Sequence, residues 1–417
     1  MNKKEFSFDI VAETDNGLGR AGVIHTPHGD IETPTFAVVG TYGEVRNISM
    51  DRLREIGAQV VLSNGYHLSK IDAEIDANGG LAERFGWKGP TITDSGGFQV
   101  MSLGSGAGKV VSMDKRDIAK ENEKTAREDR LARVTDEGVY FKADEKAKEF
   151  LFTPEYSMQF QHKIGADIIM AFDELTSIND TREYNEAALK RTHEWATRCL
   201  IEHQKLTKER KNKPYQALYG VLQGAHYEDL RRETARFLGD MEFDGFGLGG
   251  AFEKEQLGDI VKWCNEELPK NKPRHLLGLS KPDDLFIGAE NGVDTFDCVA
   301  PTREARHGRI YTLDGDIDLK KNKFKNDESV LYDGCECPTC LSGRTRAEIQ
   351  ALMKNTDSKK SAEQDATDKK LAQELTSIHN VFFIINLTKQ IRESIIDGTF
   401  NEFRDDWLKR YYQNNKK

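Results

Sequence analysis

The chain has 417 residues, a formal net charge of −10, and 37% hydrophobic and 31% charged residues. This composition excludes a fibrous or intrinsically disordered protein, and the length accommodates either one large barrel with an appendage or two ordinary domains. The longest unbroken aliphatic and aromatic run, 381–385, is too short to span a bilayer, and the start MNKKEFSFDIV carries lysines without an apolar export segment; no membrane partner is expected, and the expected compartment is the cytoplasm.

Asp15-Asn16-Gly17 and His28-Gly29-Asp30 are hairpin signals, so residues 1–34 are expected to form a small antiparallel cap. Eight short apolar runs then follow to residue 300: FAVV, QVVLSN, TITDSGG, DIIMAFDE, ALYGVLQG, FGLGG, HLLGLS and TFDCVA. Between most of them lie helix-like stretches: one after Thr153 with Pro154 in its first turn, then 185–201, 227–238, 255–267 and 282–290, the last with Ser280 as its expected cap. Strand and helix alternating in this way predict the α/β class, a (β/α)8 TIM barrel over 35–325. Two charged segments, 112–133 and 354–374, have the composition of solvated loop or exposed helix. The remainder, 326–417, is expected to form a zinc-binding subdomain with C-terminal helices.

Polar residues fall where a barrel enzyme carries its chemistry, at the C-terminal ends of the strands: Asp94, Asp173, Gln223, Gly250 and Asp297. Carboxylates at a barrel mouth suit glycosyl chemistry, because one can attack an anomeric carbon while another handles protons. Metal binding is the rival use, although no His or Glu accompanies these aspartates at ligand spacing. The loop Asp94-Ser95-Gly96-Gly97-Phe98 adds glycines that let backbone approach a flat ligand and a ring able to stack on it.

Three of the six cysteines, Cys335, Cys337 and Cys340, crowd into one hexapeptide, which is metal arithmetic rather than a disulfide framework. With His379 as fourth ligand they complete a closed tetrahedral zinc site, structural in purpose; His275 and His307 are weaker candidates for that place. The net acidity argues mildly against a nucleic-acid partner, but between Thr302 and Lys325 seven Lys or Arg residues face four acids. A basic stripe on an acidic protein can still hold RNA.

The motifs DSGGFQVMSLG (94–104), MAFDE (170–174), VLQG (221–224), GLGG (247–250), FDCVAPTR (296–303) and CECPTC with His379-Asn380 resemble the tRNA-guanine transglycosylase family, in its bacterial form. The resemblance implies a glycosyltransferase that exchanges guanine at the wobble position of tRNAs with GUN anticodons for a 7-deazaguanine base, preQ1 or queuine. It makes Asp297 the nucleophile that forms a covalent RNA intermediate, and Asp94 the general base that deprotonates the incoming base. Asp94, Ser95, Gly96, Gly97, Phe98, Asp173, Gln223, Gly249 and Gly250 are then the base pocket. Asp173 accepts the N–H and amine of the base, Gln223 and the Gly250 N–H donate to its carbonyl, and Phe98 stacks on it. Gly278, Leu279, Ser280, Lys281, Pro282, Asp283 and Asp284 are expected to line the RNA path, and Thr302, Arg303, Glu304, Ala305 and Arg306 to read the anticodon loop. One structural zinc ion per subunit and a homodimer are also implied.

Leu175 stands where the bacterial pattern usually has Cys, and Ala251 with Phe252 follows Gly250 where Leu-Ala or Leu-Ser is usual; both places bear on which deazaguanine is accepted. Two other classes are to be weighed: a non-catalytic RNA-binding subunit of such an enzyme, and an aldolase-type barrel with Lys281 as Schiff-base amine.

Overall fold

The computed structural model describes residues 6–98, 132–142, 148–210, 213–354 and 361–413; most of the segment 112–133 lies outside them, as do 355–360. Strands β1 (Ser7–Glu13), β2 (Arg20–Thr26) and β3 (Gly29–Thr33) form an antiparallel sheet in the order β1-β2-β3. Its two turns fall at the two hairpin signals, with Gly17 and Gly29 at positive φ.

All eight apolar runs become parallel strands of one closed barrel. They are β4 (Thr35–Val39), β5 (Val61–Ser63), β6 (Thr91–Thr93), β10 (Ile168–Met170), β11 (Ala217–Leu222), β12 (Gly245–Leu248), β13 (Arg274–Leu276) and β14 (Thr295–Cys298). Strands β7 (Ala132–Thr135), β8 (Gly138–Phe141) and β9 (Phe150–Phe152) form a second antiparallel sheet inserted between β6 and β10. Ala132 and Arg133, expected in a charged loop, are therefore strand.

Barrel strands are buried on both faces, so their sequences read as unbroken apolar runs instead of alternating ones. The alternation reappears in what each residue touches. Ile169, Leu218, Phe36 and Val38 join the layer shared with the surrounding helices. Their neighbours Ile168, Met170, Ala217, Tyr219 and Ala37 pack inside the barrel with Ile24 and Ile31 of the N-terminal sheet, which closes the end away from the strand C-termini.

Helix starts obey local capping rules. Thr153 Oγ1 accepts from the Tyr156 N–H at 3.1 Å with Pro154 in the first turn, and Thr181 caps the helix Arg182–Glu209, longer at both ends than its expected 185–201. The expected Ser280 cap is not formed. Instead Asp284 reaches back to accept from the Lys281 N–H at 3.2 Å, because Ser280 is buried and turned toward Cys298.

After the barrel, helices Pro338–Leu341, Arg346–Lys354, Ala362–Ile396 and Phe400–Gln413 follow. The 35-residue helix Ala362–Ile396 serves two cores. Ile378, Val381, Ile384, Ile391 and Ile395 pack into the barrel–helix layer, while Ala372 sits in a small cluster with Cys337, Cys340, Ile310, Leu331 and Ile349. Among the described residues no helix is long and apolar enough to cross a membrane.

Candidate active site and metal centre

Asp94 follows β6 at the C-terminal mouth of the barrel. Its Oδ1 accepts from the N–H groups of Gly65 (2.9 Å) and Gly96 (3.0 Å), and its Oδ2 from Asn64 Nδ2 at 2.6 Å. Gly96 has φ +81°, and a Cβ there would press on the Phe152 ring at 3.0 Å, so the turn that brings its N–H to the carboxylate needs glycine. Burial pushes the Asp94 carboxyl up to about 7; the nearby Asp297 charge adds to the rise and the three hydrogen bonds oppose it.

Asp297 stands in β14, and only one of its oxygens is tied down. Oδ1 accepts from the Gly278 N–H at 3.1 Å and lies 3.1 Å from His275 Nε2, whose other nitrogen is 2.8 Å from Thr295 Oγ1. Among the described residues Oδ2 has no hydrogen bond and is not sealed from the mouth. A carboxylate gripped through one oxygen presents the other as a nucleophile.

Asp173, beyond β10, faces the same mouth. Its Oδ2 accepts from Gln223 Nε2 at 2.6 Å and its Oδ1 from Ser95 Oγ at 3.3 Å. Burial again dominates, pushing this carboxyl up to about 6 against those two donors. Gly249 and Gly250 close the pocket beside Gln223; a Cβ on Gly249 would stand 2.9 Å from its Nε2. Phe98 is half-buried at the end of the Asp94 loop, whose next residues, from 99 onward, are outside the described ones. Leu175 is half-buried and Phe252 buried.

The thiols of Cys335, Cys337 and Cys340 lie 3.7, 3.3 and 3.5 Å from His379 Nδ1, and all four ligand atoms fall within 4.8 Å of one another. A tetrahedral ion with bonds of about 2.0–2.3 Å spaces its ligands by roughly 3.3–3.8 Å, which the three distances to His379 match. His379 Nε2 donates to the Tyr311 carbonyl at 2.8 Å, which leaves Nδ1 as the lone pair facing the thiols. Neither weaker candidate joins the cluster: His275 lies against Asp297, and His307 is exposed on the surface.

The family described as Queuine tRNA-ribosyltransferase matches residues 15–413. Proteins of that name from Fusobacterium nucleatum (37% identity over 96% of this chain and 97% of the relative), Anoxybacillus flavithermus (37%, 97% and 96%) and Shouchella clausii (36%, 94% and 93%) align over nearly their full lengths. The chain belongs to the queuine tRNA-ribosyltransferase family.

In this family member the two segments expected to meet RNA are only partly on the surface. Ser280, Pro282, Asp284, Thr302 and Ala305 are buried and hold the segments in shape. Gly278 gives its N–H to Asp297, and Lys281 is drawn to Glu304 (3.3 Å) and lies 5.5 Å from the Tyr311 ring centre. Arg303 and Arg306 make no ion pair among the described residues. Burial, with Arg46 and Arg303 beside it, lowers the Arg306 guanidinium from its usual value, so three arginines converge at the mouth.

Sequence reasoning missed Arg46 and Asn64, and gave His275 only as a weak metal candidate, not as the partner of Asp297. Asn64 ends the second barrel run, a strand-end polar position like those singled out, and could have been found. His275 lies inside its strand, where nothing in the chain marks it as polar-facing.

Proposed function

We propose that this queuine tRNA-ribosyltransferase family member exchanges guanine at the wobble position of tRNAs with GUN anticodons for a 7-deazaguanine base by double displacement. The observation that carries this is Asp297, fixed through Oδ1 and open at Oδ2, across the mouth from Asp94, whose burial makes its carboxylate a stronger base than an exposed one. Asp297 Oδ2 attacks the ribose anomeric carbon; the glycosidic bond breaks, its electron pair leaves with guanine, and guanine takes up a proton from solvent. Asp94, as the anion, then takes a proton from the incoming base, whose nitrogen displaces Asp297 from the opposite face, and gives that proton up to solvent. Two inversions give net retention, and the RNA chain is never cut.

Asp173 recognises the N–H and exocyclic amine of the base edge. One of the two Nε2 hydrogens of Gln223 is committed to Asp173, so the base carbonyl relies on the Gly250 N–H together with the second Nε2 hydrogen of a Gln223 that shifts as the base enters. Leu175 and Phe252 make the pocket more apolar than the usual pattern, and the exchanged base, preQ1 or queuine, is to be identified by competition. Arg46, Arg303 and Arg306 hold the anticodon loop, whose target base is unstacked at less expense than in duplex. The bound metal is zinc, held by Cys335, Cys337, Cys340 and His379, and supplies structure, not chemistry. The protein is cytoplasmic and works as a homodimer.

Incubation with unmodified tRNA and radiolabelled guanine should place label in the wobble nucleotide; absence of label would overturn the proposal. The pH profile is a second expectation. Asp94 and Asp173 act as anions, and burial delays their ionisation to about 7 and about 6. The rate of guanine incorporation should therefore rise as pH increases through 6 to 7 and level off above; a profile flat from pH 5 to 8 would contradict these roles.

His275 yields a further expectation. His275→Phe removes one of the two grips on Oδ1 without opening a large cavity, and should slow covalent adduct formation by about 10- to 100-fold. The tRNA dissociation constant should stay unchanged. Equal loss in both measurements would mean the histidine only maintains the fold.

A further inference from the structure

Behind the pocket lies a cation that the mechanism above does not use. Arg231, in the helix Glu228–Gly239, is 0% exposed and forms no ion pair among the described residues. A buried charge without a carboxylate is costly unless its surroundings compensate, and here backbone carbonyls do so. Nε donates to the Ala225 carbonyl at 2.7 Å; Nη1 donates to the Gly249 carbonyl at 2.7 Å and lies 3.5 Å from that of Leu222. One guanidinium thus clamps the two loops that carry Gln223 and Gly250. Ala225 has φ +49°, sparsely populated for a residue with a side chain, and persists because its carbonyl is held. Gly250 has φ +109°, and a Cβ there would collide with Nη2.

Two buried atoms at this corner lack partners. They are Arg231 Nη2, a donor, and Gln223 Oε1, an acceptor, both beside the same glycine. They are complementary. The Gln223 amide is free at its oxygen on the side where an arginine hydrogen is available, so the arginine can receive that oxygen as Gln223 turns from Asp173 toward an entering base.

We propose that Arg231 is a positioning residue that sets the carbonyl-recognising side of the base pocket, by fixing the Gly250 N–H and by docking the Gln223 amide in its base-bound orientation. This rests on the base-exchange reading and deepens it: the ligand class is a purine-like base bearing a ring carbonyl, and Arg231 governs its affinity rather than that of tRNA.

The test compares wild type, Arg231→Met and Arg231→Lys, using guanine as the probe. Arg231→Met should raise the guanine KM in exchange assays, and the calorimetric guanine Kd, by about tenfold or more, as expected when a buried hydrogen-bonding group loses its support. The tRNA Kd should move by less than about twofold, and Arg231→Lys, which keeps the charge and one carbonyl contact, should fall between. If Arg231→Met does not fold, the Lys variant alone must still weaken guanine without weakening tRNA. Unchanged guanine affinity in a folded variant, or equal weakening of guanine and tRNA, overturns the proposal. If wild type binds guanine but does not exchange it, the base-exchange reading fails while the calorimetric comparison still decides the role of Arg231. If wild type neither binds nor exchanges guanine, both fail.

Discussion

Asp297→Asn should reduce guanine incorporation by about 10⁴-fold or more, since an amide oxygen is a far poorer nucleophile than a carboxylate, and the other two carboxylates at the mouth, Asp94 and Asp173, are each held through both oxygens. The substitution is nearly isosteric. Its Oδ1 can still accept from Gly278 and His275, so the mouth of the barrel should keep its shape. Melting temperature and tRNA affinity are therefore expected to match wild type within error. On denaturing gels of enzyme mixed with tRNA, wild type should give a slow-migrating adduct and the Asn variant none. Base exchange within about tenfold of wild type would remove Asp297 from the chemistry and, with it, the double-displacement reading.

His379→Ala is expected to have the largest effect on stability. Cys/His zinc sites in small domains contribute about 10–16 kcal/mol of folding free energy, and even a third of that corresponds to a fall in melting temperature of roughly 10 °C at about 2–4 °C per kcal/mol. The effect should reach the segment proposed to hold RNA as well as the metal site. One residue beyond His379, Asn380 accepts from the Tyr311 N–H (3.0 Å) and donates to the Pro301 (3.2 Å) and Arg309 (2.9 Å) carbonyls. One turn before it, Thr376 Oγ1 lies 3.2 Å from the Ala305 carbonyl. The long helix thus holds the short helix Ala300–Arg306, which carries Arg303 and Arg306. Chelation of the wild type should reproduce both results: a lower melting temperature by scanning calorimetry and weaker tRNA binding, with zinc restoring each. If the metal-free protein melted and bound tRNA as the loaded one does, the site would have no structural role.

The barrel was legible from the chain because each parallel strand is buried on both faces and announces itself as an unbroken apolar run. The hairpins at Gly17 and Gly29, and the helix start at Thr153-Pro154, were legible because turns and caps are decided within four residues. The cysteine hexapeptide was equally local. Sequence could not place Ser280, whose capping group was taken by Asp284 once burial turned the serine toward Cys298. It also gave no access to the sheet β7–β9, whose short strands follow a charged segment that masks their pattern.

What the sequence determined by itself is therefore the set of chemical groups and the architecture that gathers them: eight strands, carboxylates at their ends, three thiols in one hexapeptide. What only the tertiary structure decided is how those groups are tuned. His275 reaches Asp297 from 22 positions away, Arg231 reaches the Gly249 carbonyl from 18, and His379 meets Cys340 from 39. The upward shifts of Asp94 and Asp173 come from burial and from neighbouring residues far along the chain. Hydrogen bonding and desolvation depend on distance through space, and no local pattern encodes that distance until the barrel has closed.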